Sequence, residues 1–414
     1  MSSALFVALV LPVLAGAHFY VWWRMVRATT SPRSWWRRAG TVLIVLLALL
    51  LVAAPPAERA LPAPLATAVG WPGFTWMAGI LYLTLALLAG EAVRPVLMRV
   101  RRRHFAGDTV SGDGGERLYG TGSVPGPDSP APASADGLPA SRRMFVSRVV
   151  AVAAGTAAGA AVGYGAYTAL GPPRVRRLVV PLTRLGPEAH GFRIALISDI
   201  HLNVLVGRSR TRQLVDLLNG TEPDLVALVG DLVEDADVAV QGRAAEPLAN
   251  LRAPHGVYYV TGNHEFYSGA EQWVRFVREL GLRPLRNERI ALPGFDLAGI
   301  EDASGVDHDD GPDYEAALGG RDRNRAVVLL AHQPAQVTEA ARYGVDLQLS
   351  GHTHGGQLWP FTRLASLVEP HVAGLSRYRD TLLYVSRGTG FWGPPVRLDA
   401  DPDITVVELV SPRA

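Results

Sequence analysis

The chain contains no cysteine and no lysine. Without cysteine there is no disulfide, no Fe–S cluster, no thiolate zinc site and no thiol nucleophile, and either redox compartment is open to it. Every basic side chain is an arginine, a bias from which no mechanism follows. Net charge is scarce too, +2 over 414 residues, so bulk charge gives no case for a nucleic-acid partner. Charge is scarcest near the N-terminus. Runs at 4–23, 40–54 and 73–90 are almost uninterrupted apolar sequence. The first and third approach the ~20 residues that cross a bilayer. Trp22, Trp23, Trp35 and Trp36 flank the first two, where interfacial aromatics sit.

These runs predict three transmembrane helices within 1–98, with no buried charge inside them to indicate transport. Arg94, Arg99 and Arg101 to Arg103 open a basic stretch. It passes into sequence rich in Gly, Ser, Pro, Asp and Ala, too poor in large apolar residues to offset its ordering entropy. Residues 99–143 therefore read as a basic, then disordered, linker. Residues 141–170 begin Ser-Arg-Arg-Met-Phe-Val and continue rich in Ala and Gly. They read either as an internal twin-arginine-like export signal or as a plain fourth transmembrane helix over 144–172. Residues 173–190 read as a connector, and 191–412 as a separate domain. Arginines concentrate in the loop after the first run and after the third, with only Arg59 after the second. Basic loops face the cytoplasm. This predicts an outside N-terminus, four crossings and an extracytoplasmic C-terminal domain, although Arg174, Arg176 and Arg177 weigh against it.

From residue 191 the pattern changes to short, β-rich apolar runs, each followed by polar residues. Residues 193–198 lead into Asp199-Ile200-His201, and 225–229 into Gly230-Asp231. Residues 257–260 lead into Gly262-Asn263-His264-Glu265, 326–330 into Ala331-His332, and 346–349 into Gly351-His352-Thr353-His354. Helix-like segments, such as 211–218 and 271–280, lie between them. The runs read as buried strands of an α/β fold, whose ligand sites gather at strand ends. Glycines 230, 262 and 351 let the backbone turn tightly there. Carboxylate, amide and imidazole donors without thiolate suit Mn, Fe or Zn. They are too many for one ion. Two divalent ions ~3.5–4 Å apart need a shared carboxylate, and Asp231 is placed for that role.

The ordered string D-x-H, G-D, G-N-H-E, H, G-H-x-H resembles the calcineurin-like metallophosphoesterase family, over about half the chain. The resemblance implies a four-layer α/β/β/α sandwich binding two divalent metal ions. One would be held by Asp199, His201, Asp231 and His354, the other by Asp231, Asn263, His332 and His352. It implies hydrolysis of a phosphate ester by metal-activated hydroxide. His264 would protonate the leaving oxygen, oriented by a neighbouring carboxylate. Gly355 and Gly356 would leave room for the phosphate.

The stretch 385–397, with Gly355-Gly356-Gln357, looks like the membrane-associated branch of that family. Some of its members carry a twin-arginine signal, and others are transmembrane proteins with a metallophosphoesterase domain. Arg387 and Arg397 are candidates for binding a phosphate or sugar-phosphate headgroup. Phe266-Tyr267 and Trp359-Pro360-Phe361 either rim the site or pack internally. The acidic stretch 301–315 reads as a solvated or lid loop. His18, His104, His190, His255, His308 and His371 read as structural. A membrane anchor favours phosphodiesters of lipid or cell-envelope substrates. The alternatives are a lipid-linked pyrophosphate hydrolase of the UDP-2,3-diacylglucosamine type, which needs a cytoplasmic site, or a non-catalytic membrane scaffold that binds phosphorylated ligands.

Overall fold

In a computed structural model of the chain, residues 3–106, 140–234, 236–367 and 371–412 are described, with side chains from residue 10 onward and not over 93–143. The linker expected after the third helix falls, from 107 to 139, outside these residues, as do the side chains of Arg142 and Arg143.

Four long helices open the chain: α1 Ser3–Val21, α2 Trp35–Ala60, α3 Ala63–Ala106 and α4 Ala140–Leu170. Among the described residues, Trp35–Ala60, Ala63–Ala92 and Met144–Leu170 are long and apolar enough to cross a membrane. The second is ten residues longer than its apolar run at the N-terminal end. The first continues through Pro55 and Pro56, residues that would end a helix in water but are tolerated in spanning helices. Helix α3 carries the basic stretch to Ala106, so the expected linker boundary at 99 lies inside a helix. The longer helices also correct the expectation of no buried charge. Arg24 is buried beside the end of α1 and ion-pairs with Glu91, and Glu58 is buried near the end of α2.

The described chain divides into two compact units. One comprises residues up to Ala48 and Gly79–Ala160. The other comprises Leu49–Ala78 and Ala161 onward. The second unit contains two six-stranded sheets. The first is ordered β1-β12-β2-β3-β4-β5 and the second β10-β11-β9-β8-β7-β6. In chain order the strands are β1 Arg174–Pro181, β2 Phe192–Ile197, β3 Leu225–Val229, β4 Val257–Val260, β5 Arg283–Pro284, β6 Glu288–Leu292, β7 Phe295–Gly299, β8 Ala326–Leu330, β9 Leu347–Ser350, β10 Gly374–Tyr378, β11 Thr381–Val385 and β12 Asp403–Val410.

Strands β2 to β5 pair in parallel, as do β7, β8, β9 and β11. Parallel strands have both faces covered, which is why they read as unbroken Val/Leu/Ile/Ala runs. Ile194, Leu196 and Val229 of one sheet meet Leu297, Val328 and Leu349 of the other in the central core. The outer face of the first sheet packs on α5 Arg208–Asn219, α6 Val238–Ala245 and α8 Ala270–Glu279, through Leu214, Leu218 and Trp273. Between the last two lies α7 Asn263–Ser268. The outer face of the second sheet packs on α9 Tyr314–Leu318 and α10 Val337–Ala340. Four layers result, α/β/β/α.

One boundary differs from expectation. Residues 174–181 are not a connector but edge strand β1, hydrogen-bonded in parallel to β12. Arg174 and Arg176 there ion-pair with Asp401 and Asp403, at 2.8 and 3.0 Å. A partner in the sheet accounts for two of the three arginines that weighed against the topology.

Candidate metal centre

Parallel strands aligned in register end together, and the polar residues after them meet. Asp199 and His201 follow β2, Asp231 follows β3, Asn263 and His264 follow β4, His332 follows β8, and His352 and His354 follow β9. Donor atoms of Asp199, His201 and His354 lie within 4.8 Å of one another, and so do those of Asp231, His332 and His352. His201, Asp231 and His264 likewise have donor atoms within 4.8 Å of one another. Asn263 is buried beside them. Among the described residues, His18, His190, His255, His308 and His371 are in none of these clusters.

The backbone is held in a conformation that side-chain-bearing residues avoid. Asp199, His201, Asp231, His352 and His354 have φ of 52°, 49°, 52°, 74° and 51°. Left-handed backbone costs about 1–3 kcal/mol per residue and persists where the surroundings over-determine it. Here it turns successive donors inward. Glycines let the elements close up. A Cβ at Gly262 would overlap Asp231 Oδ1, and one at Gly351 would overlap Asp199 Oδ2. Gly230, at φ 74°, would place a Cβ 2.5 Å from His332 Nδ1.

Three observations test whether these donors fit cations. Asn263 Oδ1 is buried and makes no hydrogen bond, and the buried His332 Nε2 faces Asp231 Oδ2 at 3.2 Å. His332 Nδ1 donates to the Val229 carbonyl at 2.9 Å, which leaves the lone pair of a neutral ring on Nε2, facing the cluster. His201 Nε2 and His354 Nε2 stand 2.9 Å apart. That is the spacing of two imidazoles bound at right angles to one ion, each about 2.0–2.1 Å from it.

The electrostatics agree. Burial works against a charge on His201, yet Glu234, with Asp231 and Asp199, pushes it up to about 8. Burial likewise works against a charge on His332, yet Asp231 and Asp199 raise it to well above its ordinary value. The buried carboxylates draw positive charge to this point, a demand that divalent ions meet. His354 is held well below its ordinary value by burial, His201 and Arg397, and so stays neutral. The donor set fits a dinuclear metal site.

Other residues set the donors in place, and the sequence reading gave three of them no role or another one. Glu234 Oε2 lies 2.8 Å from His201 Nδ1. The Glu265 carboxylate accepts from the N–H groups of Asp231, Leu232 and Gly262. Arg397, expected at the substrate, is fully buried; it donates to the carbonyls of Gly390, Arg387 and Ala400, and Nη2 stands 3.0 Å from His354 Nδ1. Its place next to a ligand-bearing turn was visible only in three dimensions, whereas Glu234 stands three residues after Asp231 in the sequence. Arg387 is partly exposed and lies 3.4 Å from Asp403. His264 is half-buried, and its Nδ1 meets the Glu234 backbone carbonyl rather than a carboxylate. The glycines are also needed for a different reason. A Cβ at Gly356 would come within 2.6 Å of Thr362 Cα, and one at Gly355 within 3.0 Å of Arg387 Cγ. Their own chain already excludes a side chain there.

A cavity of about 530 Å³ opens over the cluster. His201, Asp231, Asn263, His264, His352 and His354 line one end. Met77, Leu358, Phe361, Trp392 and Pro394 form an apolar wall. The aromatic pairs divide: Phe266 is buried and stacks on His308, while Tyr267, Trp359 and Phe361 are exposed. The acidic stretch is not simply solvated, because Glu301 is buried against Arg286 and Asp302 against Gln333.

Comparison with known proteins places this arrangement. Residues 192–356 match the family model described as calcineurin-like phosphoesterase. A Danio rerio protein named "Transmembrane protein with metallophosphoesterase domain" is 38% identical over 262 residues, 59% of this chain and 59% of that one. This chain thus covers well under two thirds of that relative. An "Uncharacterized metallophosphoesterase" of Helicobacter pylori strain J99 is 36% identical over 61% of this chain and 68% of its own length. One of Aquifex aeolicus is 34% identical over 60% of this chain and 97% of its own. With the motifs at the ends of parallel strands and the match running through them, the chain belongs to the calcineurin-like metallophosphoesterase family.

Proposed function

We propose that this protein is a membrane-anchored, two-metal phosphoesterase that hydrolyses phosphodiesters of lipid or cell-envelope molecules. The observation that carries the reading is the cavity, which has the Asp/His cluster at one end and an apolar wall that includes Met77, a residue of a helix apolar enough to cross a membrane. A phosphate at the cluster would leave an attached hydrocarbon against Leu358, Phe361 and Trp392.

Asp199, His201, Asp231 and His354 would hold one ion, and Asp231, Asn263, His332 and His352 the other. Such ions, of Mn, Fe or Zn, supply Lewis acidity and an activated water for attack on phosphorus. The chain's own residues do the rest. Glu234 and Arg397 fix the rings of His201 and His354. Glu265 fixes the turn that carries Asp231. His264, with Nδ1 held by the Glu234 carbonyl, directs Nε2 into the cavity to protonate the departing alcohol, an effect worth ~10²–10⁴-fold. Arg387 is partly exposed beside Gly355 and is the candidate for a second phosphate contact.

For topology we propose four crossings, with both the N-terminus and the catalytic domain outside the cytoplasm. The distribution of arginine and the pairing of Arg174 and Arg176 within the sheet support it. The test is the full chain in detergent, stripped of metal and reloaded with Mn, Fe or Zn singly, on bis-p-nitrophenyl phosphate and p-nitrophenyl phosphate. Metal-dependent turnover of the diester is expected. Two bound metals without turnover of either ester, or of a phosphodiester lipid, would make the domain a binding module.

A further inference from the structure

We infer that residues 359–367, with Trp392, form a surface that docks on the lipid bilayer. Docking sets the mouth of the metal-site cavity at the level of the headgroups, so that substrate enters from the lipid phase. The inference rests on the membrane reading of α2, α3 and α4, and it deepens the proposed function by naming where its substrate enters.

The surface inverts the polarity of a water-facing turn. After Trp359 and Pro360 come the short helix α11 Phe361–Leu364 and a tighter turn, Ala365–Leu367. Phe361, Leu364 and Leu367 recur every three residues, so they share one face. All three are exposed, Leu367 by 80%, and so is Trp359. The polar residues between them are engaged with their own chain. Thr362 Oγ1 and Arg363 Nη2 meet Asp399 Oδ2 at 3.3 and 3.2 Å, and Ser366 Oγ donates to the Arg363 carbonyl at 2.8 Å. Trp392, exposed as well, is tied to the start of this segment. The Gln357 side chain accepts from the Trp392 N–H at 2.9 Å and donates to its carbonyl at 2.8 Å. Phe361 and Trp392 line the cavity over the metal cluster. Clustered exposed apolar side chains mark an interaction surface, and Trp and Leu with an Arg among them are the composition of a membrane interface.

The helices packed on the residues after Trp392 name the bilayer as the occupant. The Arg397 N–H donates to the Gly165 carbonyl of α4 at 2.9 Å, and a Cβ on Gly165 would overlap Val396. A Cβ on Gly393 would lie 3.7 Å from Met77 Sδ of α3. Both helices contain stretches apolar enough to cross a membrane. Gly165 lies little more than one turn, roughly 7 Å, before the end of α4 at Leu170. Met77 lies about one turn, roughly 6 Å, inside the apolar run that opens at Gly73. When these helices span, residues 393–397 reach the depth to which an interfacial apolar face buries, roughly 5–10 Å. Trp392 adjoins Gly393 in the chain, so the exposed surface continues what the spanning helices begin. The crossings are consistent with this. Gly70, near the start of α3, would place a Cβ 3.2 Å from Val204 of the same domain that meets the end of α4. The start of α3 and the end of α4 thus lie on one side, as a crossing by each requires.

The chain has no cysteine, so single-cysteine variants of the full chain each carry one nitroxide. Leu364→Cys and Leu367→Cys report on the surface. Val45→Cys, exposed in the apolar run of α2, reports on the membrane. Arg323→Cys, exposed in the turn before β8 and so at the far end of that strand from His332, reports on water. In nanodiscs of phosphatidylcholine and phosphatidylglycerol, collision with oxygen, which concentrates in lipid, is compared with collision with a neutral nickel chelate, which stays in water. Preference for oxygen at 364 and 367, as at 45, supports docking. Preference for nickel there, as at 323, while 45 prefers oxygen, overturns docking and leaves the membrane reading standing. Preference for nickel at all four positions overturns both. Labels shielded from both reagents and broadened by a second nitroxide would make the surface an interface between copies of this chain and overturn the bilayer as its occupant. Entry from lipid is read separately. Leu364→Gln combined with Leu367→Gln should lower turnover of a phosphodiester lipid in nanodiscs at least about tenfold relative to bis-p-nitrophenyl phosphate; an equal change on both overturns it. The nitroxide measurements need no turnover, so failure of the catalytic reading is distinguishable from failure of docking.

Discussion

Glu234 Oε2 stands 2.8 Å from His201 Nδ1, with both side chains buried. The carboxylate orients the ring and raises its basicity together, as an outer partner of a metal-binding histidine does. In the metal-free protein His201 is pushed up from 6.5 to about 8. A base raised in this way stabilises the metal-free fold fully below pH 6.5, and that contribution is lost as pH rises through about 8. Metal binding has the opposite sign, because the ion must displace the proton. Affinity for Mn should therefore rise with pH, by at least about tenfold per unit between 6.5 and 8, because His332, also raised, must lose its proton as well. Glu234→Gln should move that rise to lower pH and weaken binding about 10–100-fold at pH 8.5. Calorimetric titration in buffers of different ionisation enthalpy counts the released proton; a pH-independent affinity in the wild type would remove His201 from the ligand set.

The two arginines of residues 385–397 should behave in opposite ways. Arg397 is fully buried among the carbonyls of Gly390, Arg387 and Ala400 and beside His354. Arg397→Ala leaves those carbonyls unsatisfied and should cost roughly 3 kcal/mol or more, with loss of metal as the His354 ring loosens. Arg397→Lys keeps the charge but not the planar fork, and should recover only part of the stability. Arg387→Ala should leave the thermal midpoint within a degree or two and raise KM if the side chain meets phosphate. Chemical denaturation and steady-state kinetics of the three variants separate these outcomes. An Arg397→Ala protein as stable as the wild type would refute the positioning role.

How much of this was legible in the sequence follows from the physics of each element. The parallel core strands were readable because burial on both faces makes them apolar throughout, as in Leu225–Val229 and Ala326–Leu330. The donors were readable because they follow those strands directly. Strand β1 was not: it lies at a sheet edge, and its arginines resembled a membrane flank until their partners Asp401 and Asp403 came into view. Strand β6 is only partly buried and carries Glu288 and Arg289, which hides its alternation. Arg397 was misread for a related reason. Position along the chain says that an arginine is near the site, but not whether its side chain points into the cavity or away from it.

Two substitutions divide binding from chemistry. Asp231 lies within reach of both donor groups, and its carboxylate also accepts from the His264 N–H at 3.0 Å. Asp231→Asn removes the one charge the two groups would share, and metal analysis should find both ions lost. His264→Ala leaves the donors intact, so metal content should be retained while turnover falls ~10²–10⁴-fold. The loss should be smaller for a diester with a good leaving group, such as p-nitrophenolate, than for an alkyl ester, because the better leaving group needs its proton less. Equal losses on both would assign His264 to binding rather than to proton donation.

The glycines offer a test that touches no ligand. Gly262 has ordinary extended backbone, φ −109°, so an alanine there meets no conformational penalty. Its Cβ, however, would fall on Asp231 Oδ1. Something must move, and the neighbouring Asp231 turn is held by Glu265 through three N–H groups. The carboxylate would therefore swing rather than the backbone shift. Gly262→Ala should bind at least tenfold less metal while keeping its secondary structure by circular dichroism. Gly281 is the matched control from the same domain. Its φ is 87°, but a Cβ there meets nothing within 4 Å, so Gly281→Ala should cost about 1 kcal/mol of stability from backbone strain and no metal. If both variants lose metal alike, general destabilisation explains the loss; if only Gly262→Ala does, close approach of two turns is what holds Asp231 between the donor groups.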